Sequence, residues 1–248
     1  MKRLSLLLLL LAAAAHANGP DIANWSITVK GGPAFPVMGE FSEGAAETTS
    51  TTTENGEVVT TGNSANFLPL DWDDAYDNFL DFAVEVDFWE SETRSLYLGV
   101  SHTRADGKSA ILGTFNGREV RASFSDYSDT GFYAGFRWGL GHSDWIKSLV
   151  SIQAGAAVVD SIEAGVTNLD GLSKVGFYER TTVFSGGIFL SAVLTPLDFL
   201  EVGIESGLEY QTGPDGDNSQ LDVLGVGNVS AGGDLGLVPV RILATIKF

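Results

Sequence analysis

The 248-residue chain has no cysteine and few bases: 14 Lys and Arg stand against 32 Asp and Glu, for a formal net charge of −18. The absence of cysteine excludes a disulfide framework, a thiol nucleophile and a thiolate metal site. The acidic balance argues against nucleic acid as a partner, because nucleic-acid phosphates need a basic protein face. The length fits one domain.

Long apolar runs are also lacking, apart from one at the start of the chain. Leu4–Ala15 follows a basic beginning, Met1-Lys2-Arg3, and ends at the small residues Ala15-His16-Ala17. The run is shorter than the roughly 20 residues that a helix needs to cross a bilayer. A basic start, a short apolar run and an A-x-A site are typical of a cleaved signal peptide. We therefore predict a signal peptide over residues 1–17 and a mature domain over 18–248.

Strict alternation of apolar and polar residues marks the last stretch of the chain. One face would carry Val238, Val240, Ile242, Ala244, Ile246 and Phe248. The other face would carry Pro239, Arg241, Thr245 and Lys247, with Leu243 as an apolar exception. A period of two residues predicts a β-strand with one apolar face.

Seven further stretches alternate in the same way. They are Trp25–Val37, Phe79–Trp89, Ser95–Ser101, Thr130–Leu140, Ile146–Val158, Val183–Leu194 and Leu200–Tyr210. Short connections alternate with four long ones, at residues 38–78, 105–129, 159–182 and 212–234. This pattern predicts an all-β fold: an eight-stranded antiparallel transmembrane β-barrel with short periplasmic turns and long extracellular loops.

A soluble antiparallel sandwich is the alternative fold, because its strands also alternate. The recurrence of the apolar face on every strand favours the barrel, which has no edge to protect. Aromatic residues near the strand ends are typical of membrane girdles; the outer set is Phe35, Phe79, Phe132, Phe184 and Tyr210. The first long connection lacks periodicity and is predicted to be a mobile loop.

The eight alternating strands and the terminal Phe248 resemble the OmpA/OmpX-type superfamily of small bacterial outer-membrane barrels. The resemblance implies a place in the Gram-negative outer membrane, reached by secretion across the inner membrane. It also implies that Phe248 is the assembly signal for the barrel insertion machinery, and that outer-membrane lipids and lipopolysaccharide are partners. We expect a monomer without a cofactor.

Charged residues recur on the polar faces, which would line the lumen. The acids are Asp81, Glu85, Asp87, Glu201, Glu205 and Glu209, and the bases are Lys30, Arg137, Lys147 and Arg241. Leaving such a charge unpaired in a narrow barrel would cost several kcal/mol, so we predict a lumen charge network. Two interpretations remain open, a polar plug and a narrow channel.

Residues suited to catalysis or metal binding are sparse. His102 would face outward, whereas Ser101 and Thr103 would face the lumen, so no nucleophile shares its face as in a PagL-like lipid A deacylase. The acids at positions 71, 73, 74 and 77 and the run Asp215-Gly216-Asp217-Asn218 resemble calcium ligands but lack the EF-hand spacing. We therefore predict no enzymatic activity and no metal site.

The connection 105–129 continues the alternation past the membrane and contains Asn116-Gly117, a hairpin signal. A three-residue loop with Gly117 in a G1 bulge would pair Thr114 with Arg118 and keep the two faces in register. That register sets Leu98 opposite Ala134, Val100 opposite Phe132, Tyr97 opposite Gly135 and Gly99 opposite Tyr133. The hairpin would stand above the membrane as a fin, as in OmpX-type barrels, with an exposed edge for a partner strand.

These observations favour a structural or surface-interaction (adhesion-like) role through the extracellular loops, with an unidentified surface ligand. A narrow channel is the alternative, and a lipid A-modifying enzyme is less well supported.

Overall fold

The computed structural model describes residues 25–47, 51–54, 57–60, 64–91, 94–143, 145–169, 172–217 and 233–248. The predicted signal peptide, residues 1–17, lies outside them. The elements are, in chain order, β1 (Trp25–Met38), β2 (Glu40–Ser42), β3 (Ala45–Glu47), β4 (Thr51–Glu54), β5 (Glu57–Thr60), β6 (Ala65–Phe67), β7 (Leu70–Asp71), α1 (Trp72–Ala75), β8 (Phe79–Ser91), β9 (Arg94–Ala105), β10 (Ser109–Phe115), β11 (Arg118–Phe124), β12 (Tyr127–His142), β13 (Ile146–Val159), β14 (Ile162–Leu169), β15 (Leu172–Tyr178), β16 (Thr181–Leu197), β17 (Leu200–Gln211) and β18 (Leu235–Lys247).

Eight of these strands close into an antiparallel barrel in the order β1-β18-β17-β16-β13-β12-β9-β8. Closure occurs because β1 pairs with β8 on one side and with β18 on the other. The predicted fold class is therefore confirmed. The predicted register of the β9–β12 pair is confirmed as well, including the two tyrosine–glycine pairs Tyr97↔Gly135 and Tyr133↔Gly99.

The outside of the barrel is apolar. Exposed side chains on it include Val29, Phe82, Leu98, Phe132, Ile188, Ile204 and Ile242, and the last of these is 72% exposed. Apolar surface of this extent is unfavourable in water but matches a hydrocarbon environment. On β12 the apolar belt ends at Phe132, because the next outward residues toward the extracellular side are Thr130 and Ser128.

Some apolar residues point into the barrel instead of outward, among them Leu243 and Phe79. Leu243, the exception in the closing strand, packs with Leu149 and Val193 in a small buried cluster. Phe79 was predicted to belong to the outer aromatic girdle, but it is fully buried. It shares the inward side of β8 with Asp81, two residues along, so its place in the girdle was wrong.

The long connections fold into an extracellular cap, which we define as β2–β7, α1, β10, β11, β14, β15 and residues 212–217 and 233–234. Its main part is a six-stranded sheet in the order β15-β14-β11-β10-β6-β3. The prediction of a mobile first connection was wrong for the parts around Phe41, Phe67 and Trp72, since these side chains are buried. Residues 48–50 of its Thr-rich run lie outside the described residues. Its single helical turn is short, and in the described part of the chain no helix is long and apolar enough to cross a membrane.

An aromatic core joins the cap to the barrel. Its rings are Phe41, Trp72, Tyr76, Phe79, Phe124, Tyr127, Phe177 and Tyr178, all in one buried cluster. Phe79 and Tyr127 come from the inner sides of β8 and β12, with ring centroids 5.1 Å apart in an edge-to-face contact. Aromatic pairs of this geometry add stability beyond their buried area. The core therefore lies over the extracellular mouth of the barrel and covers it.

The β10–β11 hairpin differs from its predicted form in its turn. Phe115 pairs with Arg118 across a two-residue turn, in which Asn116 and Gly117 have φ values of 50° and 76°. Positive φ at both positions is the type I′ geometry that Asn-Gly favours. The faces stay in register because a bulge lies between Ile111 and Gly113, rather than because of a three-residue loop.

Both edges of this hairpin are paired. Strand β10 pairs with β6 and β11 pairs with β14. The predicted free-standing fin with an exposed edge was therefore wrong, because strands from the first and third long connections cover it. The side chains of alternate residues, among them Phe115, Val120 and Phe124, are buried.

Candidate functional site

The lumen is lined by two ladders of carboxylates. Along β8 the inward residues run from Asp87 near the periplasmic end through Glu85 and Asp81 to Phe79 in the aromatic core. Along β17 they run from Glu201 through Glu205 and Glu209 to Gln211. Alternation of side chains along a strand produces this arrangement, since residues two or four apart share a face.

Two bases, Lys30 and Arg241, connect the two ladders, and a third, Arg137, pairs with two acids of the β8 ladder. The Lys30 Nζ lies 2.7 Å from Glu85 Oε1 and 2.9 Å from Glu205 Oε1. The Arg137 guanidinium donates to Glu85 Oε2 at 2.8 Å and also pairs with Asp87. These side chains are 6% exposed or less, so each charge depends on its partners rather than on water.

Arg241 completes the network toward the extracellular side. It pairs with Asp81, contacts Glu205 at 3.4 Å and donates to Glu209 at 2.7 Å. A continuous chain of alternating acids and bases thus runs from Asp87 through Lys30 to Glu209 across five strands. Such a chain holds the strands in one arrangement, because displacing any member leaves a buried charge without its partner.

A separate group lies nearer the periplasmic end. Lys147 donates to Glu201 Oε1 at 3.0 Å, and Lys247 pairs with the same oxygen. The ten lumen residues singled out from the sequence therefore all face the lumen, but they divide into this small group and the central chain.

Two tyrosines, which the sequence analysis only set opposite glycines, contact the central charge network. The Tyr133 hydroxyl donates to Glu85 Oε1 at 3.0 Å. The Arg137 guanidinium carbon lies 4.6 Å from the centroid of the Tyr97 ring, a cation–π contact. A Cβ on Gly135 would come within 2.2 Å of the Tyr97 ring and 2.6 Å of the Ile152 carbonyl oxygen, so this position accepts only glycine.

Asp129 was missed by the sequence analysis. It is 5% exposed and lies beside a cavity of about 20 Å³ between the charge network and the aromatic core. The cavity is lined by Asp81, Asp129, Glu209 and Arg241 together with Ala34, Ser101, Thr103, Ala157, Ser185, Gln211 and Leu237. This volume is enough for one water molecule. Tyr133, Gly135 and Arg137 share the inward face of β12. Continuing this alternation from Tyr133 through residue 131 to residue 129 would have identified Asp129 as a lumen residue.

The remaining predicted positions have structural contacts. The exposed His102 has its Nδ1 3.3 Å from Thr130 Oγ1, whereas Ser101 lines the lumen cavity. Phe248 is 55% exposed, stacks on Trp25 with ring centroids 4.2 Å apart, and donates its backbone N–H to the Trp25 carbonyl at 3.0 Å. It therefore joins the last residue to the first barrel strand.

Acids in the cap have neighbours within the protein. Asp71, Asp73 and Asp74 are exposed and place carboxylate oxygens within 4.8 Å of one another. The Asp74 carboxylate accepts the Asp71 backbone N–H at 3.1 Å. Asp215 accepts the Thr181 hydroxyl at 2.8 Å, and Asn218 of the same run lies outside the described residues. These contacts give the acids a role in fixing turns of the cap.

The cap is closed by polar contacts between distant segments. Trp72 Nε1 donates to the Asp234 carbonyl at 2.9 Å, which links the first and fourth connections. Tyr178 donates to the Phe41 carbonyl, which links the third and the first. Burial raises the pKa of Tyr76 and of Tyr178 well above the usual range, so both hydroxyls remain neutral.

No protein-family model and no curated protein sequence matches the chain. Among solved structures it is similar to Neisserial surface protein A (NspA), with 9% identity, 90% of this chain and 97% of that chain covered, and a TM-score of 0.43. It is also similar to Ail, the attachment invasion locus protein of Yersinia pestis, with 8% identity, coverage of 91% and 98%, and a TM-score of 0.39. The outer membrane protein OprG from Pseudomonas aeruginosa gives 10% identity, coverage of 90% and 95%, and a TM-score of 0.40. The closed pairing and apolar exterior are themselves the architecture of a bacterial outer-membrane β-barrel protein.

Proposed function

We propose that this outer-membrane β-barrel protein acts at the cell surface, as a scaffold that presents its folded cap to ligands outside the cell. The observation that carries the proposal is the cap itself: the long connections build one domain with its own aromatic core. Connections that only joined strands would not need a core of their own, because lengthening a flexible loop adds little to the entropic cost of closing it.

The outer face of the six-stranded sheet is the surface that the cap offers. Its exposed residues are mostly small or charged, apart from Ile111 on β10. Ser109 and Ser123 are hydrogen-bonded at 2.7 Å, and Arg121 and Lys174 are among the exposed bases. Exposed ion pairs such as Lys174–Glu163 contribute little to stability. They are therefore free to be replaced by contacts with a ligand, which suits a recognition surface.

Binding assays on cells that display the full chain test this proposal. The sheet-face variant Arg121→Ala/Lys174→Ala, with neither residue in the core, should reduce attachment to immobilised matrix proteins or glycans that the wild type binds. A matched variant away from the sheet, Arg94→Ala, should attach normally. Equal attachment of all three proteins and of cells without the chain would contradict a surface-interaction role.

Permeation through the lumen is less well supported as a function. The charge chain crosses the barrel, and the aromatic core covers its extracellular mouth. The cavity between them holds only about 20 Å³. This cavity is thus of the size of a water molecule rather than of a solute.

We also propose that the protein has no enzymatic activity, that it assembles as a monomer through the barrel insertion machinery, and that outer-membrane lipids are its nearest partners. Arg104 and His102 face outward just above the apolar belt on β9, where phosphates of lipopolysaccharide would lie. Mass spectrometry of lipid A from cells with and without the gene should show no difference. A change in acylation that depends on His102 would contradict the proposal.

A further inference from the structure

Four polar side chains lie together on the outer wall of the barrel, at the extracellular ends of β9 and β12. Arg104 is paired with Ser128 across the two strands, and His102 is paired with Thr130. We call these four residues the β9–β12 patch. Paired residues lie about 5 Å apart across a sheet, and residues two apart on one strand lie about 7 Å apart. The patch is therefore compact enough for one small ionic group to contact all four side chains.

The patch offers hydrogen-bond donors and contains no acid. A guanidinium, an imidazole and two hydroxyls can all donate to an anion. The His102 ring is positioned by Thr130, whose Oγ1 lies 3.3 Å from its Nδ1. The chemistry of the patch thus fits a ligand that carries several acceptor oxygens.

Arg104 has no acid partner within the part of the chain that the structure describes, although Asp106 follows it on the same side of β9. Four other bases of the extracellular side do form ion pairs; they are Lys108, Arg121, Lys174 and Arg180. The acidic excess of the chain makes an unpaired arginine unexpected, because carboxylates outnumber bases more than two to one. Its guanidinium is available to an anion from outside the protein.

Apolar side chains border the patch on two sides. Leu80 and Phe82 stand opposite its two bases on β8 and are 37% and 50% exposed. Val100 and Phe132 form the next outward pair toward the membrane centre. A free anion would gain nothing from this border, whereas the acyl chains of a lipid would lie against it. The surroundings therefore favour an anion that is attached to a lipid.

We propose that the β9–β12 patch binds the phosphate headgroup of an outer-leaflet lipid, with Arg104 as its main anchor. Arginine suits this role because its planar guanidinium can bind two phosphate oxygens at once. His102 and the two hydroxyls donate to the oxygens that remain, and the acyl chains cover the apolar border. The site rests on the proposal that outer-membrane lipids are the nearest partners of the protein, and it adds the headgroup chemistry and the residues that recognise it.

Native mass spectrometry of the full chain tests the site. The protein is released from micelles that contain either phosphorylated lipid A or the same glycolipid without its phosphates. The wild type should retain the phosphorylated form in preference to the other. Arg104→Gln removes the charge and should lower this retention by about tenfold or more, as expected when a hydrogen bond between charged groups is lost. Arg94→Gln, which changes an exposed base at the periplasmic end of the same strand, should behave like the wild type.

Equal retention of the two lipids by the wild type, or equal losses in the two variants, would overturn the site. Displacement of the lipid by excess inorganic phosphate would overturn it as well, because a free anion would then be sufficient. If Arg104→Gln does not assemble, the lipid preference of the wild type and the phosphate competition still decide. Equal retention of both lipids would leave lipids as neighbours of the barrel and would leave surface recognition by the cap, which cell attachment measures, unaffected.

Discussion

Three lumen bases each face at least two carboxylates, so the charge network is shared rather than made of separate pairs. Lys30 contacts Glu85 and Glu205, and Arg137 contacts Glu85 and Asp87. Removing one base therefore takes a cationic partner away from two buried acids at once. Buried ion pairs of this kind add little net stability when intact but are costly to break.

Arg137→Ala should for this reason destabilise the barrel by roughly 3–5 kcal/mol, the range seen when one partner of a buried pair is removed. Urea unfolding of the protein in lipid measures the change. Lys174→Ala, which removes an exposed cation from its pair with Glu163, is the matched control and should change stability by less than about 1 kcal/mol. Equal effects of the two substitutions would mean that water reaches the lumen charges.

Single residues also show where sequence reasoning reached its limit. The parity of β8, β12 and β17 was enough to place the lumen acids and Arg137, because alternation fixes the face of every side chain. Hydrophobicity alone would place Leu243 and Phe79 on the outside, whereas alternation with Arg241 and Asp81 places both in the lumen. The lumen accepts them because it has apolar patches at both ends of the charge network.

At the level of elements, the closing strand is joined to the first by more than backbone pairing. Phe248 stacks on Trp25. The side chain could serve this seam, the insertion signal that the resemblance implies, or both. Substituting the two partners separately distinguishes these roles.

Phe248→Asp should impair assembly and leave the chain in the periplasm, because it removes both the terminal aromatic and the stack. Trp25→Ala removes the stack alone and should assemble into the outer membrane with reduced stability. Fractionation followed by heat-modifiability on gels measures both. Normal assembly of Phe248→Asp would show that the last residue is not the signal.

The cap is the element that the sequence predicted least well. Periodicity identified the barrel strands, but strands of two to four residues such as β2 and β7 are too short to show a period. The β10–β11 turn illustrates the same limit: Asn116-Gly117 marked the hairpin, but the compensating bulge at Leu112 has no local signal. Pairing with β6 and β14 is a tertiary contact between distant segments.

Trp72→Ala should loosen the cap without opening the barrel wall. It removes ring contacts to Phe41 and Tyr127 and the hydrogen bond to Asp234. Losses of roughly 3–5 kcal/mol are usual for a buried tryptophan. Amide exchange in β10 and β11 should accelerate while β12 remains protected. Trp145→Ala, a change at a 74% exposed tryptophan, should leave both regions unchanged; a cap unaffected by Trp72→Ala would mean that its core is not cooperative.

For the whole molecule, the acidic excess of the sequence separates into two environments. Within the barrel, acids are balanced by shared bases; outside it, acids lie on the surface of a folded cap. The molecule is thus closed twice, by the charge chain and by the aromatic core. On that basis we propose a function at the outer surface.

Conductance of the purified full chain in planar bilayers tests this account most directly. With the lumen closed by Lys30, Arg137 and Arg241 and the mouth covered by the cap, we expect no steady channels at pH 5. Steady open channels of nanosiemens size from the wild-type protein at that pH would contradict it.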